Sequence, residues 1–231
     1  MKKFTLKAIF AFAALIMPLM ANAQTYEVYK TNGEKVTYNY NDVDSIVFKA
    51  AKPAPELTEF VDLGLSVKWA TCNLGAETPA DFGDYFAWGE TETKEIYNAE
   101  TSMTYMKDIK EDIAGNPEYD AATAILGAEW RMPTYEEMEE LDKQCSWEWT
   151  TEDGSNGYRI TGPNGNSIFL PAAGRWIGDT VNYTNFSGLY WIGSPVDPQV
   201  AFCLLFDMDL HSSFCSDYRY NGMPIRPVRA N

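Results

Sequence analysis

Apolar residues recur at helical spacing in two places along this chain; elsewhere they follow strand-like alternation broken by turns rich in glycine, asparagine and proline. Met138 and Leu141 fall on one helical face, Thr134 is placed to cap, and Glu137 three residues on completes a capping box. The pattern predicts a helix over Tyr135–Gln144, with Glu136, Glu137, Glu139 and Glu140 on its wet side. A second helix, rich in alanine, is expected over Tyr119–Leu126 and stops at Gly127. Strands are expected at Trp147–Thr151, Gly157–Thr161 and Ser167–Pro171. Turns on Asp153-Gly154, Asn156-Gly157 and Asn164-Gly165 fold them into an antiparallel meander.

The last long alternating run, Ala201–Tyr218, reads as a hairpin centred on Asp209, with Cys203 opposite Cys215 and Leu205 opposite Ser213. Phe202, Leu204, Phe206 and Phe214 share one face, which is bulky enough to be core. The other face carries Ala201, Cys203, Leu205, Asp207, His211, Ser213, Cys215 and Asp217. Such a mixture has no core logic, so it is expected to point outward as a contact surface.

Residues 1–23 carry Lys2, Lys3 and Lys7, an apolar run from Ala8 to Leu19, and Ala21-Asn22-Ala23. That order of charge, grease and small residues predicts a cleaved secretory signal peptide, and the run is too short to remain as a spanning helix. No membrane insertion is expected after cleavage. Residues 24–49 are expected to form a short β module: two strands around Asn32-Gly33 and a third at Ser45–Phe48. A Pro-containing linker over 50–58 leads to the main domain, 59–231. Cleavage removes three lysines and no acid, taking the net charge from −15 to −18. This opposes nucleic acid and anionic membranes as partners and favours cationic ones. An exported chain of this kind belongs in the periplasm or at the outer cell surface.

Four cysteines in an oxidising compartment allow three pairings. A zinc site is disfavoured, because no C-x-x-C spacing occurs and His211 is the only histidine. That histidine also lacks a G-x-S-x-G partner, which removes the usual hydrolase arrangement.

Four segments in order, WRMPTYEEMEEL, GYRITGPNGNSIFLPAAGR, GLYWIGS and RYNGMPIRPVR, resemble the Fibrobacter succinogenes major paralogous domain, a secreted bacterial module with a C-type-lectin-like fold. VDLGLSVKWATCNLGA and GDYFAWGE extend the resemblance back to about residue 59. It implies an α+β domain, with two helices, a twisted antiparallel sheet and long loops, that serves as a scaffold for display and binding. It also implies that the segments of Cys72 and Cys145 lie close together, making them the favoured disulfide; Cys203 and Cys215, opposite each other across the hairpin, are a second candidate pair. Relatives of this fold include proteins diversified by retroelements, and the C-terminal segment resembles their variable region; the outward face of the hairpin obeys the restricted residue set of that mechanism. The sugar-binding motifs of calcium-dependent lectins, E-P-N or Q-P-D with W-N-D, are absent. No cofactor is expected beyond a structural calcium held by loop oxygens of Asp81, Asp84 or Asp153.

The same fold class includes the formylglycine-generating oxidase, but Cys203 and Cys215 have acids rather than bases for neighbours. The sequence therefore predicts an exported, non-catalytic protein that recognises a surface protein or glycan. The site is expected on the C-terminal hairpin at Ala201, Leu205, Asp207, Asp209, His211, Ser213 and Asp217, joined by Trp176 and Tyr183 from adjacent loops. A diversified recognition protein, a subunit of a surface appendage and an oxidase are the alternatives.

Overall fold

In a computed structural model the chain divides into two compact units, residues 1–51 and 52–231. The structure describes residues 25–29, 35–39, 59–209 and 211–231. The expected signal peptide, the strand at Ser45–Phe48 and the linker over 50–58 lie outside the described residues. In the first unit, β1 (Thr25–Tyr29) and β2 (Lys35–Asn39) pair antiparallel, with Tyr29 opposite Lys35.

The second unit is α+β, mostly short antiparallel strands with two helices among its described residues. It opens with β3 (Phe60–Asp62) and β4 (Val67–Ala70), and a long irregular stretch follows to α1 (Ala121–Leu126) and α2 (Tyr135–Gln144). The meander β5 (Ser146–Glu152), β6 (Ser155–Thr161) and β7 (Ser167–Pro171) comes next, then the small hairpin β8 (Arg175–Ile177) and β9 (Thr180–Asn182). β10 (Ser187–Pro195), β11 (Val200–Asp207) and β12 (Ser213–Tyr218) make the largest ladder, and β13 (Val228–Ala230) returns to pair with β4.

Local chemistry sets these boundaries. Thr134 and Glu137 form the expected capping box at α2, which spans the expected residues. Helix α1 starts two residues later than its alanine pattern suggests, because Asp120 caps it by accepting from the amides of Ala122 and Thr123. The other Asp120 oxygen accepts from the amides of Gly115 and Met132, tying the helix start to two loops. Burial pushes this carboxyl above its usual range, and the hydrogen bonds oppose the rise. Asp153 and Gly154 both take positive φ, 46° and 88°, and so make the tight two-residue turn between β5 and β6.

Within the ladder β10–β11–β12, β10 and β11 are largely buried on both faces. Tyr190, Ile192, Leu204 and Phe206 join α2 residues Met138 and Leu141 and meander residues Ile160 and Leu170 in one core cluster. Leu189, Trp191, Ala201 and Cys203 point the opposite way and join Leu74, Phe86, Trp88, Ile113 and Met223 in another. The ring of Phe206 lies where a Cβ on Gly188 would stand, 2.0 Å away, so the flat packing across the strands requires glycine there.

Cysteine pairing differs from the favoured expectation. Cys203 and Cys215 are bridged, with Cα atoms 5.1 Å apart, while Cys72 and Cys145 are free thiols. Cys72 belongs to the Trp88 cluster and Cys145 packs against the Phe206 cluster, so the ladder stands between them. Burial, helped by Glu140, pushes the Cys145 thiol up to about 11.

Candidate functional site

The hairpin register is as expected: Cys203 faces Cys215 and Leu205 faces Ser213. The orientation of its mixed face is not. Ala201 and Cys203 have no exposed surface, and Leu205 and Cys215 pack against the Trp88 cluster. Asp217 is buried too, in an ion pair with Arg175, while its Oδ1 accepts from the Tyr218 amide and from Asn221 Nδ2, each at 2.8 Å. A second set of apolar side chains, delivered by the irregular stretch before α1, covers the face that alternation alone leaves open. Ala201 and Asp217 are buried and Leu205 is half-buried, which differs from the outward orientation expected of them.

The turn end of the hairpin stays near solvent. Asp209 and His211 are exposed, and Asp207 and Ser213 are half-buried. Ser212 Oγ donates to Asp142 of α2, and His211 Nε2 stands 3.6 Å from the same carboxylate. Serine and histidine both address the aspartate rather than each other, so they do not form a nucleophile and its base. These contacts pin the turn to α2.

Most of the exposed large apolar side chains lie on loops and short strands outside this hairpin. Of eleven among the described residues, Ile96, Met103 and Met106 lie in the stretch before α1, Ile177, Val181, Tyr183 and Phe186 in or just after β8–β9, and Val196 and Tyr218 near the start of β11; Phe186 adjoins Ser187, which pairs with Asp207, and so stands toward the hairpin turn. Backbone bonds tie several of these segments into a layer. Tyr97 and Gly178 exchange bonds of 2.7 and 2.9 Å, Trp176 and Gly222 exchange bonds of 2.8 and 3.0 Å, and the Met106 amide donates to Pro198 at 2.7 Å.

Buried charges hold this layer from beneath. Glu90 accepts from Lys94 Nζ at 2.6 Å, Ser102 Oγ at 3.0 Å and the Met103 amide at 2.8 Å, which fixes the loop through residue 103. Arg219 has no exposed surface; its guanidinium carbon lies 4.3 Å from the Trp88 ring centroid, and it donates to the carbonyls of Lys107 and Ile109. Arg226, equally buried, donates to Asn73 Oδ1 and to the carbonyls of Ala70, Thr71 and Phe169. Burial lowers both guanidinium pKa values, yet each remains a cation that satisfies carbonyls of irregular backbone.

Of the two loop aromatics expected at the site, only Tyr183 is a surface group, 58% exposed at a positive φ of 67°. Trp176 is half-buried between Tyr85 and Tyr97, with ring centroids 6.3 and 6.0 Å away, and so belongs to the support of the layer. The residues missed are Phe186, 74% exposed, and the trio Tyr105, Tyr218 and Tyr220. Their signal in the sequence is an aromatic set among Asn, Thr, Asp and Gly, with only Tyr218 at the end of an alternating run.

Asp81 accepts from the Thr78 amide, Asp84 shares its loop, and Asp153 sits in the distant β5–β6 turn. No cluster of three or more His, Cys, Asp or Glu side chains gathers to hold a metal among the described residues. No helix among those residues is long and apolar enough to cross a membrane. The chain matches no protein-family model, and neither a curated protein nor a solved structure is similar to it.

Proposed function

We propose that the chain is an exported, non-catalytic recognition protein of C-type-lectin-like architecture, akin to the major paralogous domain family, which binds a protein or glycan on a cell surface. The contact surface is the loop layer beside β8–β9 rather than the mixed face of the hairpin. The supporting observation is the concentration of exposed aromatic and aliphatic side chains on loops tied together by backbone bonds and fixed from below by buried charges. A rigid platform carrying aromatic groups loses little entropy on binding, which is the usual design of a contact surface. The basic, apolar and small-residue order of residues 1–23 supports export to the periplasm or cell surface.

The retroelement-diversified alternative draws on the mixed hairpin face, and burial of Ala201 and Cys203 counts against variation there. The oxidase alternative needs a reactive dithiol, and the bridged Cys203, which has no exposed surface, counts against it.

A screen of the protein against glycans and surface proteins tests the proposal. Tyr183→Ala combined with Phe186→Ala is expected to weaken the selected interaction by tenfold or more, about 1.4 kcal/mol. His211→Ala combined with Asp209→Ala, on the hairpin turn and outside the loop layer, should leave it within about twofold. If the turn pair abolishes binding while the loop pair does nothing, the loop layer is not the site.

A further inference from the structure

We infer that the corner formed by Tyr105, Tyr218 and Tyr220 seats the guanidinium group of an arginine presented by a protein partner. The inference rests on the recognition proposal above and gives its site a ligand chemistry. Tyr218 and Tyr220 lie two residues apart and stack 7° from parallel with ring centroids 5.0 Å apart, while Arg219 between them turns inward onto Trp88. Tyr105 closes the corner, 5.1 Å from Tyr220 and 6.5 Å from Tyr218, at 74° to each. The trio thus presents π surfaces nearly at right angles, and Tyr218 keeps 45% of its surface.

A ring face attracts cations, and the planar, weakly hydrated guanidinium stacks on it more readily than a strongly hydrated ammonium does. Acids supply the longer-range attraction. The Tyr220 phenol is pushed up by burial first, then by the neighbouring tyrosines and by the carboxylates of Asp217 and Glu100. Arg175 already pairs with Asp217, so the exposed Glu100 carries the attraction left for an incoming cation. The net charge of −15 draws a basic partner from further away. An open corner suits a side chain held out by a partner, because a small free cation gains most from a cage that strips its water.

The test is a titration of the full chain with argininamide at low ionic strength, followed by the NMR signals of the tyrosine rings. Saturable shifts confined to Tyr105, Tyr218 and Tyr220 are expected, with lysinamide bound about fivefold more weakly. Tyr218→Ala should weaken argininamide about fivefold and Glu100→Gln about twofold, whereas Tyr218→Phe, which keeps the ring, should bind as the parent does. Equal binding of the two amides, or unchanged binding by Tyr218→Ala, overturns the inference. A partner from the screen that binds Tyr218→Ala and Glu100→Gln at full strength overturns it while the recognition proposal stands. Argininamide binding as described, together with indifference of every partner to the Tyr183 and Phe186 changes, upholds the seat and removes Tyr183 and Phe186 from the contact surface.

Discussion

The two faces of β11 bury comparable fractions of their side chains by different means. On one, Leu204 and Phe206 meet a helix and a meander whose own patterns announce them as core. On the other, Ala201 and Cys203 meet Phe86, Trp88 and Ile113, which arrive from irregular backbone held by Glu90, Asp120 and Arg219. The small residues of the second face are a fit to large neighbours, not a sign of exposure. Burial on a strand is decided by what the rest of the chain brings to it, and side-chain size reports the size of the partner.

Substitutions on each face can break this comparison. Phe206→Ala should cost most, about 3–5 kcal/mol by chemical denaturation, since the ring fills space against Tyr158, Tyr190 and Gly188. A loss below about 1 kcal/mol would mean that the aromatic face is loosely packed. Removing the Cys203–Cys215 bridge as a double alanine variant should cost about 3 kcal/mol, because it frees a short loop in the unfolded chain and empties a buried site. Ala201→Leu, harmless if the mixed face met water, should instead cost about 1–3 kcal/mol by overpacking. Cys145 should show the smallest effect: with its thiol pushed up to about 11, labelling by iodoacetamide at pH 7.5 should be slow in the native protein and rapid in urea. Fast native labelling would place Cys145 in a far more open site than the flank of the Phe206 cluster.

What the sequence made legible was local. The Thr134 and Glu137 box, the Asp153-Gly154 turn and the hairpin register each depend on residues within one turn or one strand pair, and each forms as the pattern predicts. Asp120 was overlooked as a cap because the alanines after it look helical from Tyr119 onward, while its other two partners, Gly115 and Met132, lie outside the helix. The covering of the mixed face was illegible for a deeper reason: Trp88 and Ile113 sit in segments with no periodicity, so nothing in the alternation of residues 201–218 encodes them. The favoured pairing of Cys72 with Cys145 failed for the same cause, since proximity of their segments does not specify the side of the ladder on which each thiol lies. For the candidate site, Tyr183 was visible as a loop aromatic, whereas the tyrosine trio becomes a surface only when the loop carrying Tyr105 meets the end of β12.

The pairing of β13 with β4, beside β3, has a consequence for engineering. Phe60 stands opposite Ala70, and Ala230 stands opposite Val67, on strands flanking the same partner. Two strand spacings and a few residues of rise separate those positions, about 14 Å, which a linker of roughly six residues spans. Joining residue 231 to residue 59 and reopening the chain at Gly154, where an added Cβ would meet nothing within 4 Å, should yield a circular permutant with the same core.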